Sequence, residues 1–474
     1  MKRIKVVRTL LAGSALFIGS SAFAQASGPE AQQPNMGAGQ TELEQLRAQV
    51  QELLAWKAAT EAAQAAAAQA QHQPAQPRAA QTEDAPPVVT ATPAAAGSES
   101  RVNVNLYGSV QLDGIYDFHR MDPTWAGAFR PSKIATTPGT YGDDGQTLFS
   151  ARQTLFGISG SGDVAGHPLR VSFEFDLFGN GSNAGETTFH LQRASAEWGP
   201  MLFGYDKTLF MDSDLFPNII DYWGPAGMIY VKNAGIRFSV VNNDHYFFGA
   251  SLELPGNDVD PGLIRIIDPG LASSLTSSQK LPDLIVAGRI GGDWGHVRLA
   301  GLLRRVGYET IGTPGGEPNG GELGWGLNLT AVFKPTSTTT IRLGGVLGQG
   351  IASYFNDGGT DLVPVLANNR TVHPAAADMY GVTAYLEQAW NDQLSSAIGF
   401  SRARLDNSNL QTADAFHIGD YASGNLLYKP HPNLLIGGEL LYGRRVDNNG
   451  ASGEDVRFQL SLRYSYNVNL IGSR

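Results

Sequence analysis

Eight arginines recur on one parity of short alternating runs: Arg170, Arg237, Arg289, Arg298, Arg304, Arg342, Arg457 and Arg463. Fewer acids share those faces, namely Glu174, Asp176, Glu253 and Glu439. A guanidinium stays charged at any working pH and offers a planar fork of donors, which suits carboxylate and phosphate groups. A row of them along a wall makes an anion-favouring lining. A second group lies between Leu209 and Pro225, where Phe210, Phe216, Ile220 and Trp223 are interspersed with Asp212, Asp214 and Asp221. That run is too apolar to stand in water. Residues 208–230 are therefore expected to fold inward, with the apolar side chains against a wall, the alternative being a loop that contacts a second copy of the chain. Phe210, Asp212, Asp214, Asp221 and Trp223 would then mark a constriction, the acids lining it or bonded to wall arginines.

Other chemistries find little support. With Cys 0, thiolate catalysis and cysteine metal sites are excluded. His190, His245, His296, His373, His417 and His431 fall mostly at segment ends or in turns, and none sits in a nucleophile motif. Gly315-Gly316 and Gly320-Gly321 precede no helix and so do not form a phosphate cradle. Asp357 to Asp361 reads as a solvated loop. No enzymatic activity, metal or cofactor is expected, and a net charge of -10 argues against nucleic acid as a partner.

The elements that must carry these residues are strands. From Val102 to Phe118 every even position but Gly108 and Gly114 is apolar, with Asn103, Asn105, Ser109, Gln111, Asp113 and Asp117 between them. This period of two recurs in Leu169–Leu177, Ile236–Val240, Tyr246–Leu254, Val297–Leu303, Trp325–Phe333 and Val456–Tyr466. Sixteen such segments are discernible, those near 148–159 and 189–198 with blurred alternation. The gaps between them alternate long and short: 119–147 then 160–168, 179–187 then 199–200, 208–230 then 242–245, and 255–282 then 291–295. The series continues with 307–323 then 335–338, 349–378 then 391–393, 405–416 then 430–433, and finally 444–455. The pattern predicts an all-β fold, a 16-stranded antiparallel transmembrane β-barrel with long loops at one end and short turns at the other. The apolar faces would meet outer-membrane lipid and the polar faces a lumen, since sixteen strands enclose an aqueous channel.

Composition agrees. Charged residues are 16%, against roughly 25% in soluble domains, while the 57 glycines suit packed sheets and turns. The N-terminal region has its own organisation. Lys2, Arg3, Lys5 and Arg8 precede an apolar run and Ala22-Phe23-Ala24, the pattern of a signal peptide (1–24) cleaved after Ala24. Its removal leaves thirty bases against 44 acids, near -14. Residues 25–40 read as a flexible lead. Leu43, Leu46, Val50 and Leu53 begin a heptad seam that weakens through Lys57, Thr60, Gln64 and Ala67, so 41–72 is expected as a short periplasmic coiled-coil helix. Residues 73–100 form a Pro/Ala-rich linker, and the barrel occupies 101–474.

Three stretches carry a family resemblance. GYDKTLFMDSDLFP with DYWGPAG (204–227), GQGIASY (348–354) and NLLYKPHPNLLIGGELLYGRRVDNNG (425–450) resemble the DcaP-like trimeric outer-membrane porins. The pattern around Pro430, Gly437, Glu439 and Gly443-Arg444-Arg445 is the specific part. The resemblance implies a homotrimer of sixteen-stranded barrels, a periplasmic N-terminal coiled coil, and passive uptake of small anionic solutes, often dicarboxylates. Family barrels usually finish on a terminal aromatic, whereas here Tyr466 is followed by Asn467 to Arg474. The resulting expectation is a passive, anion-biased outer-membrane porin with both termini in the periplasm. The alternative is a structural anchor whose coiled coil braces the envelope by engaging periplasmic components. An anchor would tolerate loss of Arg237 and Arg298 but not of residues 41–72.

Overall fold

The computed structural model describes residues 102–141, 145–367 and 371–471. The signal peptide, lead, coiled coil and linker expected over 1–100 lie outside the described residues. Sixteen antiparallel strands close on themselves. They are β1 Asn103–Asp117, β2 in two pieces (Gln146–Ser150 and Leu155–Val164), β3 His167–Phe178, β4 Thr187–Trp198, β5 Met201–Lys207 and β6 Lys232–Asn242. The wall continues with β7 Tyr246–Leu254, β8 Asp283–Gly292, β9 Gly295–Thr310, β10 Gly320–Phe333 and β11 Thr339–Gln349. It finishes with β12 Asp378–Ala389, β13 Leu394–Leu405, β14 Phe416–His431, β15 Leu434–Asp447 and β16 Ser452–Ile471. Each strand pairs with the next, and β1 pairs with β16 from Val104↔Ile471 to Asp117↔Arg457, so no edge is left open.

The period of two decides which face is which. In β1, Val110 and Leu112 are exposed on the outside while Gln111 and Asp113 are buried inside. The same outward exposure of Leu252, Leu254, Leu327, Leu329, Leu460 and Leu462 continues the apolar band around the wall. A closed barrel with such a band satisfies every ladder hydrogen bond internally, which is what a bilayer requires.

Several boundaries differ from the sequence reading, and the gaps expected over 160–168 and 307–323 shorten to 165–166 and 311–319 as the strands run on. The loop expected over 444–455 contracts to 448–451, because β15 and β16 carry their pairing up to Val446↔Ser452. Residues 467–471 continue β16 instead of trailing after the last aromatic, with Asn467 opposite Tyr107 and Asn469 opposite Asn105. The blurred alternation of the second segment has a cause as well. The chain leaves the wall at Ala151–Thr154, and Arg152 turns in over Phe178 with its guanidinium carbon 3.9 Å from the ring centroid.

The hydrophobic core lies inside the barrel. Leu209, Phe210, Met211 and Ile219 pack with inner-wall Ile285, Ala287, Ala300, Leu302 and Val346. Inward glycines make the sockets for this packing. A Cβ on Gly326 would stand 2.9 Å from Phe210 Cζ, and one on Gly344 would stand 2.6 Å from Leu215 Cδ2. Gly344→Leu is therefore expected to cost about 1–3 kcal/mol by overpacking, lowering the unfolding temperature and displacing the 208–230 segment. Gly345→Leu is the control, because a Cβ there meets nothing within 4 Å. Equal unfolding temperatures for the two variants would refute the socket.

Candidate functional site

Segment 208–230 leaves the wall where β5 ends after only seven residues, and runs across the interior. Three groups of bonds hold it there. At its start, Glu253 of β7 accepts the Leu209 N–H at 2.8 Å, and Arg298 of β9 donates to the Leu209 carbonyl. Next, Asp212 accepts from His296 Nε2 at 2.9 Å and from Thr330 Oγ1 at 2.6 Å. Burial would push the Asp212 carboxyl up, but the hydrogen bonds from His296 and Thr330 prevail and hold it below the usual range. Farther on, Glu439 of β15 accepts both the Ile220 N–H at 2.8 Å and the Asp221 N–H at 3.0 Å. Asp221 accepts from the N–H groups of Phe129 and Gly224 and from Tyr421 Oη. Burial pushes its carboxyl up despite the Arg457 charge.

The three acids of the segment were expected to line a constriction or to bond wall arginines. None forms an ion pair with an arginine among the described residues. Asp212 and Asp221 are buried, and their carboxylates are spent on His296, Thr330, Tyr421 and backbone N–H groups, because the chain needs acceptors where it crosses the interior. Only Asp214 is open to water, at 61% side-chain exposure, with His296 Nδ1 at 4.0 Å. Phe210 and Ile220 are buried, and Trp223 packs edge-on against Trp125 at 4.9 Å.

The arginines divide into two populations. Arg304 and Arg457 stand on the inner face but do not line open space, which corrects the sequence reading. Arg304 is buried against Asp283 at 3.0 Å and Asp361 at 3.4 Å, and Arg457 holds Asp117 through two bonds and also donates to the Ala126 carbonyl. Glu439, Glu253 and Asp176 are likewise sealed under folded-in segments, Asp176 by Tyr222 Oη at 2.6 Å and Gln192 at 2.7 Å. Arg342 forks onto Glu387 at 2.8 and 2.9 Å and donates to the Asp214 carbonyl, while Arg463 donates to Gln111. Glu174 accepts from Tyr107 Oη at 3.2 Å.

Arg170, Arg237, Arg289 and Arg298 form the second population. They line a cavity of about 410 Å³ near the short-turn end, together with Arg193 and Lys207. Its acids are Glu197, Asp206, Asp212 and Asp214, so six bases face four acids. Among the described residues, Arg193 alone of the five arginines has a carboxylate partner, Asp206 at 3.3 Å. Nearer the long loops lies a cavity of about 540 Å³ that includes Arg130, Lys133, Lys232, Arg445, Tyr205, Tyr230 and Trp223. Arg130 is sandwiched there between Trp125 and Trp223, 4.1 Å from each centroid, and is tied to Asp357 at 2.8 Å. Lys207 of the first cavity and Lys232 of the second are direct register partners.

Sequence reasoning missed Arg193, Lys207, Lys232 and Arg130, and named Arg445 only within the family pattern. Its reading of Asp357 to Asp361 as a solvated loop is corrected, since Asp357 and Asp361 are buried against Arg130 and Arg304. Arg193 sits where β4 slips register against β3 beyond Glu174, and this breaks the parity that would have exposed it. Lys207 and Lys232 flank the inward segment, and their proximity follows from the β5–β6 pairing.

The architecture is that of a porin barrel. Among solved structures, the outer membrane channel DcaP of Acinetobacter baumannii is similar in fold, with a TM-score of 0.63 at 18% identity, covering 78% of this chain and 99% of that one. The anion-selective porin from Comamonas acidovorans gives 0.50 at 10% identity, over 77% of this chain and 100% of that one. No family profile and no curated protein matches the sequence. The fold thus agrees with the DcaP-like resemblance carried by the three sequence stretches.

Proposed function

We propose that this chain is a passive porin of a Gram-negative outer membrane, working as a homotrimer with its termini in the periplasm. It would admit small hydrophilic solutes with a bias to anions such as dicarboxylates. The observation that carries this reading is the uneven wall. Strands β3 to β9 present six bases and two acids to one cavity, to which the inward segment adds Asp212 and Asp214, whereas the opposite side is closed by the segment anchored on Glu439 and by Arg457 with Asp117. Lys207 of the first cavity pairs in register with Lys232 of the second, and the proposed path runs past that pair along one wall. Fixed positive charge along such a path raises the local anion concentration without any energy source. The similar DcaP and Comamonas structures support the channel architecture, and the latter is described as an anion-selective porin.

The test is the reversal potential of single channels across a salt gradient in a planar bilayer. Current in three equal steps with an anion-favouring potential is the expected result. A cation preference would refute the anion bias, and folded protein without conductance would refute the channel.

A further inference from the structure

We propose that Arg237, Arg289 and Arg298 form a binding site for a compact, doubly charged oxyanion near the short-turn end of the barrel. This deepens the channel reading above and rests on it. Arg289 and Arg298 are direct cross-strand partners in the β8–β9 ladder. Side chains so placed have Cβ atoms roughly 4.5–5.5 Å apart, and like charges there destabilise the sheet. Arg237 lines the same cavity as this pair, as does Asp212, whose carboxylate is taken up by His296 and Thr330. No carboxylate pairs with any of the three among the described residues, although the rest of the wall pairs its arginines readily, as at Arg304, Arg342, Arg402 and Arg457.

Their hydrogen-bonding capacity is also unspent. Arg237 Nε, Arg289 Nε and Arg298 Nη1 are buried without a protein partner. Each guanidinium makes one bond to a backbone carbonyl: Arg237 to Lys207, Arg289 to Asn243 and Arg298 to Leu209. Those bonds orient the three groups while leaving other N–H groups free, and Arg298 is 93% buried at 7% exposure. An unpaired buried cation is costly, and a charge-assisted partner removes that cost. A monovalent halide satisfies one donor group, whereas a tetrahedral dianion offers several oxygens to donors arriving from β6, β8 and β9. Asp214, an exposed acid, lines the same cavity and competes for the arginines.

Inorganic phosphate is the probe. Single-channel current in potassium chloride is recorded while phosphate is added to one side and then to the other at constant ionic strength. Saturable block is expected, stronger from the short-turn side. Arg289→Gln or Arg298→Gln should weaken apparent affinity about 10–100-fold, given about 1.5–3 kcal/mol for a hydrogen bond to a charged group. Asp214→Asn, at an exposed position, should strengthen it. If phosphate acts no differently from chloride while anion selectivity persists, the site is refuted and the channel reading stands. If the wild-type protein carries no current, the channel reading fails. If Asp214→Asn weakens the block, the arginines are not the binding groups.

Discussion

Replacing Glu439 with alanine is expected to release the inward segment and to raise single-channel conductance, with flicker between open levels. The carboxylate is fully buried and is the acceptor for two consecutive backbone N–H groups, those of Ile220 and Asp221. Removing it strands both donors, at about 1–3 kcal/mol each. A loss of even 2 kcal/mol shifts an anchored-to-released equilibrium by about thirtyfold, since 1.4 kcal/mol is a factor of ten. Glu439→Gln keeps an acceptor oxygen and should lie between alanine and wild type. Conductance histograms on folded, heat-stable protein decide the matter. If the alanine variant conducts like wild type, the segment is not held by this residue.

The second large effect concerns selectivity. Arg237→Gln with Arg298→Gln should abolish the anion preference, bringing the reversal potential close to zero. The charge count of the cavity explains why: removing two of six bases leaves four against four acids. The change exceeds what a mere loss of two among 34 bases would suggest, because the charge sits where the path is confined and low-dielectric walls focus the field. The matched control is Arg304→Gln with Arg457→Gln. Those arginines are buried in ion pairs, and their loss should lower stability strongly while leaving selectivity in the surviving folded fraction unchanged. Measuring both pairs in one salt gradient separates lining residues from wall supports. Equal shifts in reversal potential would erase that distinction.

The contrast between those pairs marks how far sequence could be read. Parity alone placed all eight arginines on the inner face, since a period of two is a local property that any strand displays. Whether an inner residue meets water or a folded-in segment is not local. Arg457 finds Asp117 across 340 residues of chain, through the closure of β1 on β16. Arg304 meets Asp361 from a loop that no alternation marks. The acids of the inward segment misled in the same manner. Asp221 looks like a lining residue by type, yet it serves as an acceptor for the Phe129 N–H and the Tyr421 hydroxyl, and Asp212 at the cavity wall is spent on the His296 ring and Thr330. Strand number and loop asymmetry were legible because turn residues and alternation repeat sixteen times. The dry core formed by Phe210 with Ile285 and Leu302 was not, because apolar residues on the inner parity are meaningful only once the segment that covers them is known.

The anchors of segment 208–230 also impose an order on assembly. Its early bonds go to β7, β9 and β10 through Glu253, His296 and Thr330; its later part meets the upstream residues Phe129, Trp125 and Asp176 but also needs Tyr421 and Glu439, some two hundred residues onward. Contacts of such sequence separation form late and slowly. During insertion the nascent cylinder therefore passes through a stage in which the wall is partly built while the far part of the inward segment still lacks its Glu439 anchor. The narrow passage is thus completed only after most of the wall strands have been made. Its formation reports that β14 and β15 have joined the sheet, so pore width is itself a record of completed folding.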